Sequence, residues 1–246
     1  MVLLTSCDSD GRGSSAGRAN TGERPYARYI GTLPCVDCRA IRWDLLLHQG
    51  LRGAPARFSL RKTRLRAVDA VEDAAIELHG SWSTRAAPAL SGGLDMLRLE
   101  PDTSKDSVVL LRIGESQLRP LGAPTAALAG GGVLQRVESR RDPDAIDATI
   151  GDVLAPIQLR SGQVLRVHLP VSPATGYRWD LDGAVPPALR IESDPGTESA
   201  ERVMPVHTWD FRAQQAGAMR LRFAYRRSWE ASASPLWSVA FDVQVR

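Results

Sequence analysis

The sequence predicts an all-β protein of two domains, and three observations carry that prediction. Apolar and polar residues alternate with a period of two in short runs, as in Ile41, Trp43, Leu45 and Leu47 against Arg42, Asp44 and His48. Gly, Pro and Asp break the runs, and no long segment holds a helical period. At 246 residues the chain exceeds the usual size of one domain, and a polar stretch, Glu138-Ser139-Arg140-Arg141-Asp142-Pro143-Asp144, interrupts the pattern near its middle.

Taken in order, the elements are strands throughout. Residues 1–24 hold a short apolar start and then the polar, small-residue stretch Asp8 to Glu23, which has the composition of a flexible tether. Strand character begins at Tyr26. The run from Ile41 is a half-buried strand whose outer side is spoiled by Leu46, and shorter apolar runs follow at Phe58–Leu60, Ile76–Leu78, Leu94–Leu99 and Val108–Ile113. The Ala- and Gly-rich stretch from Gly122 to Gly132 reads as a loop or a short helix. These set a first domain over 25–138 and a linker over 139–147. In the second domain, 148–246, Leu165, Val167 and Leu169 oppose Arg166 and His168. Met219, Leu221, Phe223 and Tyr225 oppose Arg220, Arg222 and Arg226, and Trp237, Val239, Phe241, Val243 and Val245 share a face. Short strands between turn signals are the mark of a sandwich or barrel.

Composition excludes several functions. Net charge is +3 at a pI near 9.0, with the cations spread along the chain and not gathered into the stripe that nucleic acid requires. No run approaches the roughly 20 apolar residues of a membrane span. No histidine accompanies a motif serine or cysteine, and Gly130-Gly131-Gly132 lacks the lysine and the strand-to-helix setting of a phosphate loop. The expectation is a protein that is not an enzyme and needs no cofactor.

Two resemblances concern the first half. Leu4-Thr5-Ser6-Cys7 resembles the lipobox of bacterial lipoproteins, in which the cysteine is lipidated. Six residues before Cys7 are too few for a signal peptide, so the expectation is a native start upstream and a lipid at Cys7 that anchors the protein to the membrane. Gly31-Thr32-Leu33-Pro34-Cys35-Val36-Asp37-Cys38-Arg39-Ala40-Ile41 resembles the cysteine signature of the NlpE family of envelope lipoproteins, with Gly80-Ser81-Trp82 and Leu118-Arg119-Pro120-Leu121 as weaker matches. The family implies a small lipocalin-like β-barrel on an outer-membrane lipoprotein facing the periplasm. Cys35 and Cys38 precede a strand and not a helix, which disfavours redox turnover. In an oxidising envelope they are expected to close a disulfide; soft-metal capture, copper included, is the alternative, with His48 and His79 lacking ligand spacing.

The second half resembles another family. Val171-Ser172-Pro173-Ala174-Thr175-Gly176-Tyr177-Arg178-Trp179 is similar to the N-P-T-T-G-Y-x-W motif of the chagasin family, inhibitors of papain-like cysteine peptidases. Tyr225-Arg226-Arg227-Ser228-Trp229-Glu230 is similar to its Y-x-R-P-W-E, and His207-Thr208-Trp209-Asp210-Phe211 and Ala216-Gly217 fall between them in order. The resemblance implies an immunoglobulin-like β-sandwich with three loops at one end that occlude a peptidase cleft without covalent chemistry. By that likeness Ser172, Pro173, Ala174, Thr175 and Gly176 face the catalytic centre, Met204, Pro205 and Val206 form the middle loop, and Arg227 and Trp229 are anchors. Tyr177 and Trp179 return to the core. Proline stiffens such a loop and glycine permits its turn. Met204-Pro205 stands where the family has glycines, which alters the loop's shape. The competing expectation is an NlpE-like lipoprotein of envelope stress or copper handling whose sandwich is only a binding or spacer module.

Overall fold

The computed structural model of the protein describes residues 23–35, 38–65, 75–86, 95–113, 116–121, 132–137, 142–171, 176–193, 206–227, 229 and 234–246. The expected lipidation site Cys7 and the stretch 122–131 lie outside them. Eight antiparallel strands close a barrel: β1 (Arg24–Leu33), β2 (Ala40–Gln49), β3 (Pro55–Leu65), β4 (Ile76–Ala86), β5 (Asp95–Pro101), β6 (Val108–Ile113), β7 (Gln117–Pro120) and β8 (Leu134–Val137). The last strand closes on the first. Alternation decides what fills it. Residues directly opposite on paired strands share a face, so Tyr29, Leu45 and Leu60 point inward together, and Leu97, Leu110, Leu118 and Leu134 complete a lumen packed with buried leucines.

Strand β1 breaks the alternation. From Ala27 to Leu33 every residue is buried, including Arg28, Ile30 and Thr32, whose side chains lie on the outside of the barrel. The reason is the second domain, which covers that outer face.

The second domain is a two-sheet sandwich. One sheet runs in the order β13 (Leu189–Ser193), β14 (Val206–Ala213), β11 (Val164–Pro170), β9 (Ala145–Thr149). The other runs β10 (Ile157–Leu159), β16 (Trp237–Val245), β15 (Gly217–Arg227), β12 (Tyr177–Leu181). Strand β9 pairs in parallel with β11 from Ala145 onward, so the sandwich begins inside the stretch 139–147 expected as linker. The core between the sheets is built on Trp179, Trp209, Phe211, Phe223 and Phe241, in tilted and edge-to-face contacts.

A short 3-10 helix, Ile150–Leu154, carries the chain from one sheet to the other. Its capping box joins Thr149 and Asp152: the Asp152 carboxylate accepts from the Thr149 amide at 2.7 Å and from its hydroxyl at 3.1 Å. The other Asp152 oxygen accepts from Thr32 Oγ1 of the barrel at 2.7 Å. Gly151 makes this approach possible, since a Cβ there would lie 2.5 Å from the Thr32 carbonyl oxygen.

Candidate functional site

The pairing of the strands gathers three connections at one end of the sandwich. Pro170, the last residue of β11, is opposite Val206, the first of β14. Tyr177, the first residue of β12, is opposite Arg227, the last of β15, and Tyr225 is opposite Trp237, where β16 begins. Trp179 joins the two sheets there, its indole N–H donating to the Pro170 carbonyl at 2.8 Å while its ring is buried. Three chain reversals therefore leave the sandwich side by side, after β11, before β14 and after β15.

Of the expected site residues, Gly176, Val206, Arg227 and Trp229 fall around this end. Ser172, Pro173, Ala174, Thr175, Met204 and Pro205 lie outside the described residues. Val206 is half-buried at the foot of the middle connection. Gly176 has φ +71°, a backbone shape that side chains rarely tolerate, and a Cβ on it would stand 2.5 Å from Trp229 Cη2. Glycine is thus required twice over, for the turn and for the indole lying against it. Trp229 is 67% exposed. The Arg227 guanidinium lies 4.8 Å from the Tyr177 ring centre and 5.9 Å from that of Trp229. One cation over two aromatic rings holds the first and third connections together, at roughly 0.5–1 kcal/mol per exposed contact. Tyr177 is half-buried, stacked on Tyr225 at 5.3 Å, so of the two aromatics expected in the core only Trp179 is fully enclosed.

Sequence reasoning missed a second apolar side chain at this end. Leu236 is 67% exposed although its amide is fixed by a 2.9 Å bond to the Tyr225 carbonyl. A signal existed: Pro235-Leu236 stands just outside the alternation that starts at Trp237. His207, second residue of β14, also borders the end. Burial pushes its imidazole below the usual value, a backbone hydrogen bond with Trp179 opposing only in part, which favours the neutral ring at neutral pH.

A second polar assembly was also missed, running from the barrel into the sandwich. Arg28 on β1 makes a two-pronged bond to Asp44, both contacts at 2.9 Å, and reaches Asp147 of β9 at 2.9 Å. Asp147 is 2.9 Å from His168 Nε2, and His168 Nδ1 is 3.1 Å from Thr208 Oγ1. Burial works to raise the Asp147 carboxyl, but hydrogen bonds and charge from His168 and Arg28 outweigh it and hold it down at about 2. In the barrel, Cys35 and Cys38 are joined as a disulfide with Cα atoms 5.2 Å apart, in the turn before β2. His48 sits near the opposite end of β2, distant from that pair along the strand.

Similarity to known proteins covers less than half of the chain in each case. No curated protein matches the chain. The crystal structure of EhICP2, a cysteine protease inhibitor from Entamoeba histolytica, is similar at 22% identity over 42% of this chain and 95% of that one, with a TM-score of 0.36. The solution structure of amebosin is similar at 20% identity over 43% of this chain and all 100% of that one, with a TM-score of 0.33. Residues 158–245 match the family model described as chagasin family peptidase inhibitor I42, a stretch that runs from β10 to the end of β16. The second domain of this protein is thereby a chagasin-family inhibitor domain.

Proposed function

We propose that the protein inhibits papain-like cysteine peptidases by placing the loop end of the sandwich in the active-site cleft, where it blocks substrate without covalent chemistry. The observation that carries this reading is Trp229. A large aromatic held two-thirds exposed, seated on Gly176 and flanked by the Arg227 guanidinium, is poorly explained by the domain's own stability. Tryptophan and arginine are the residue types that dominate interface energetics, and a stiff platform lowers the entropy lost on docking. The family match supplies the class of partner. The reading extends to Ser172, Pro173, Ala174 and Thr175 as the segment facing the catalytic cysteine, and to Met204, Pro205 and Val206 as the middle contact.

We further propose that Cys7 is acylated and that the protein is displayed on the outer membrane facing the periplasm, the barrel standing between the anchor and the inhibitor. Support comes from the lipobox-like Leu4-Thr5-Ser6-Cys7, the polar tether after it and the joined Cys35–Cys38 pair, which suits an oxidising compartment. Labelling cells with a fatty-acid analogue tests the anchor; an unlabelled protein that keeps Met1 overturns it. The joined pair offers a soft metal no thiolate, so copper capture at Cys35 and Cys38 would first require reduction.

Titration of papain with the full chain tests the inhibitor reading. Inhibition is expected to be competitive and reversible, with the protein left uncleaved. Trp229→Ala is expected to cost about 2 kcal/mol, some 30-fold in affinity, and Arg222→Ala, on an exposed strand face, almost nothing. Glycines at Met204 and Pro205 are expected to tighten binding. A folded protein inactive against several papain-like enzymes at high micromolar concentration, with the glycines as without them, would mean that the sandwich is a binding or spacer module.

A further inference from the structure

The polar assembly between the domains ends at the feet of the loops. Four side chains form an unbroken line: Arg28 on barrel strand β1, Asp147 on β9, His168 on β11 and Thr208 on β14, with successive contacts of 2.9, 2.9 and 3.1 Å. His168 and Thr208 are directly opposite each other in the sheet, two residues from the Pro170–Val206 pair at which the first and middle connections leave it. His168 Nε2 faces the Asp147 carboxylate and Nδ1 faces the Thr208 hydroxyl, so both ring nitrogens have a partner in the line. Arg28, Asp147 and His168 are each 6% exposed or less, so the two contacts of Asp147 are shielded from solvent, while Thr208 at the end of the line is half-buried. Around them, Arg166 pairs with Asp210 at 2.9 Å on the same outer sheet face, and Asp44 takes the remaining charge of Arg28.

We propose that Arg28, in the barrel, is a positioning residue for the loop end of the sandwich, acting through Asp147, His168 and Thr208. The inference rests on the inhibitor reading above and adds a role for the first domain. Asp147 faces Arg28 on one side and His168 on the other. Loss of the guanidinium leaves a buried carboxylate held by the imidazole alone, and the strand pair that carries the first two loops loses its fixed lateral support. Packed polar networks have discrete arrangements and do not deform smoothly, so the disturbance is passed along the line toward Thr208. The barrel thereby sets the spacing of Pro170 and Val206, from which two of the three peptidase contacts spring.

The test uses the full chain and papain as the probe. Two variants cut the line at its ends: Arg28→Met in the barrel and Thr208→Val, which keeps the shape and removes the hydroxyl. Inhibition constants are measured at a temperature where near-ultraviolet circular dichroism shows each variant folded, together with amide exchange at Leu169 and His207. Both variants are expected to bind papain about fivefold or more weakly, the lower end of typical coupling between sites, and to exchange faster at those two amides. Arg220→Ala, on the other sheet, is expected to change neither. Wild-type affinity and exchange in folded variants overturn the proposal. Should Arg28→Met fail to fold, Arg28→Lys, which keeps the charge but not the fork, takes its place beside Thr208→Val under the same criteria. If the wild-type chain does not inhibit, the inhibitor reading falls, and the exchange measurement alone decides the relay: faster exchange supports it and unchanged exchange overturns it.

Discussion

The two outer faces of the sandwich begin with the same sequence pattern and end in different environments. On one sheet, Arg166 and His168 alternate with the core residues Leu165, Val167 and Leu169. On the other, Arg220 and Arg222 alternate with Leu221 and Phe223. The second pair looks outward into solvent, where Arg220 and its partner Asp242 are 64% and 52% exposed. On the first sheet the barrel lies over β9, and His168 is 4% exposed against Asp147 and Thr208. A charge-bearing strand face can therefore be a surface or an interior, depending on what packs on it. The energetic consequences differ, because exposed ion pairs contribute about 0–1 kcal/mol whereas breaking a buried one strands a charge.

The largest test of that difference is the loss of one cation from each face. Arg28→Met removes the guanidinium that bridges Asp44 and Asp147 and is expected to destabilise the full chain by about 3–5 kcal/mol, while Arg220→Ala stays within about 0.5 kcal/mol. Urea unfolding of the two variants measures both. Comparable small losses would mean that water reaches Asp147 and that the two faces are energetically alike.

The same contrast marks what could be read from the sequence. The period-two runs in β2, β11, β15 and β16 were legible because alternation is a local property of a half-buried strand. Strand β1 was not legible as a pattern, since Tyr29 fills the lumen while Ile30 and Thr32 are covered from outside. Leu46, an irregularity in the β2 alternation, lies on that same outer side, opposite Arg28, and is half-buried. Likewise the sequence placed Arg227 beside Trp229, which are neighbours in the chain, but not over Tyr177, which only the β12–β15 pairing brings to it. Contacts made through register or domain packing leave no trace in spacing. Leu236 is a different case, exposed where a hydrophobic residue follows a proline, and it was available to the eye.

Acid sharpens the comparison next. Asp147 is held at about 2, below the ordinary carboxylate value of 3.8. A depressed carboxyl contributes stability that is complete above its ordinary value and is lost as pH falls through the folded one, here between about 4 and 2. The contribution is on the order of 2 kcal/mol. Unfolding free energies of the wild type and Asp147→Asn, taken across that window, should converge as pH falls. Parallel profiles would show that the ionised form has no advantage in the fold.

At the loop end, Gly176→Ala is expected to act through geometry. The αL backbone costs a residue with a Cβ about 1–2 kcal/mol, and the new methyl must displace the Trp229 ring from 2.5 Å. Weaker papain inhibition is expected together with a change in tryptophan fluorescence, because the exposed indole loses its seat. Reduced stability with inhibition intact would separate the turn from the platform and assign Trp229 a position independent of Gly176.

The smallest effect is expected at Leu236, where the two kinds of surface can be told apart most directly. Its side chain is 67% exposed and its backbone is tied to Tyr225, so Leu236→Ser removes almost no buried area and should leave stability within about 0.5 kcal/mol. If the leucine belongs to the peptidase-facing surface, it packs at the rim beside the Trp229 anchor. Rim residues of this kind contribute less than central aromatics, and a loss of about 1 kcal/mol, some fivefold in the papain inhibition constant, is the expected result. The decrease should appear mainly as faster dissociation, since an uncharged side chain does little to steer encounter. Unchanged affinity would restrict the contact to the Gly176, Arg227 and Trp229 side of the loop end and leave Leu236 as an ordinary exposed residue of the β15–β16 hairpin.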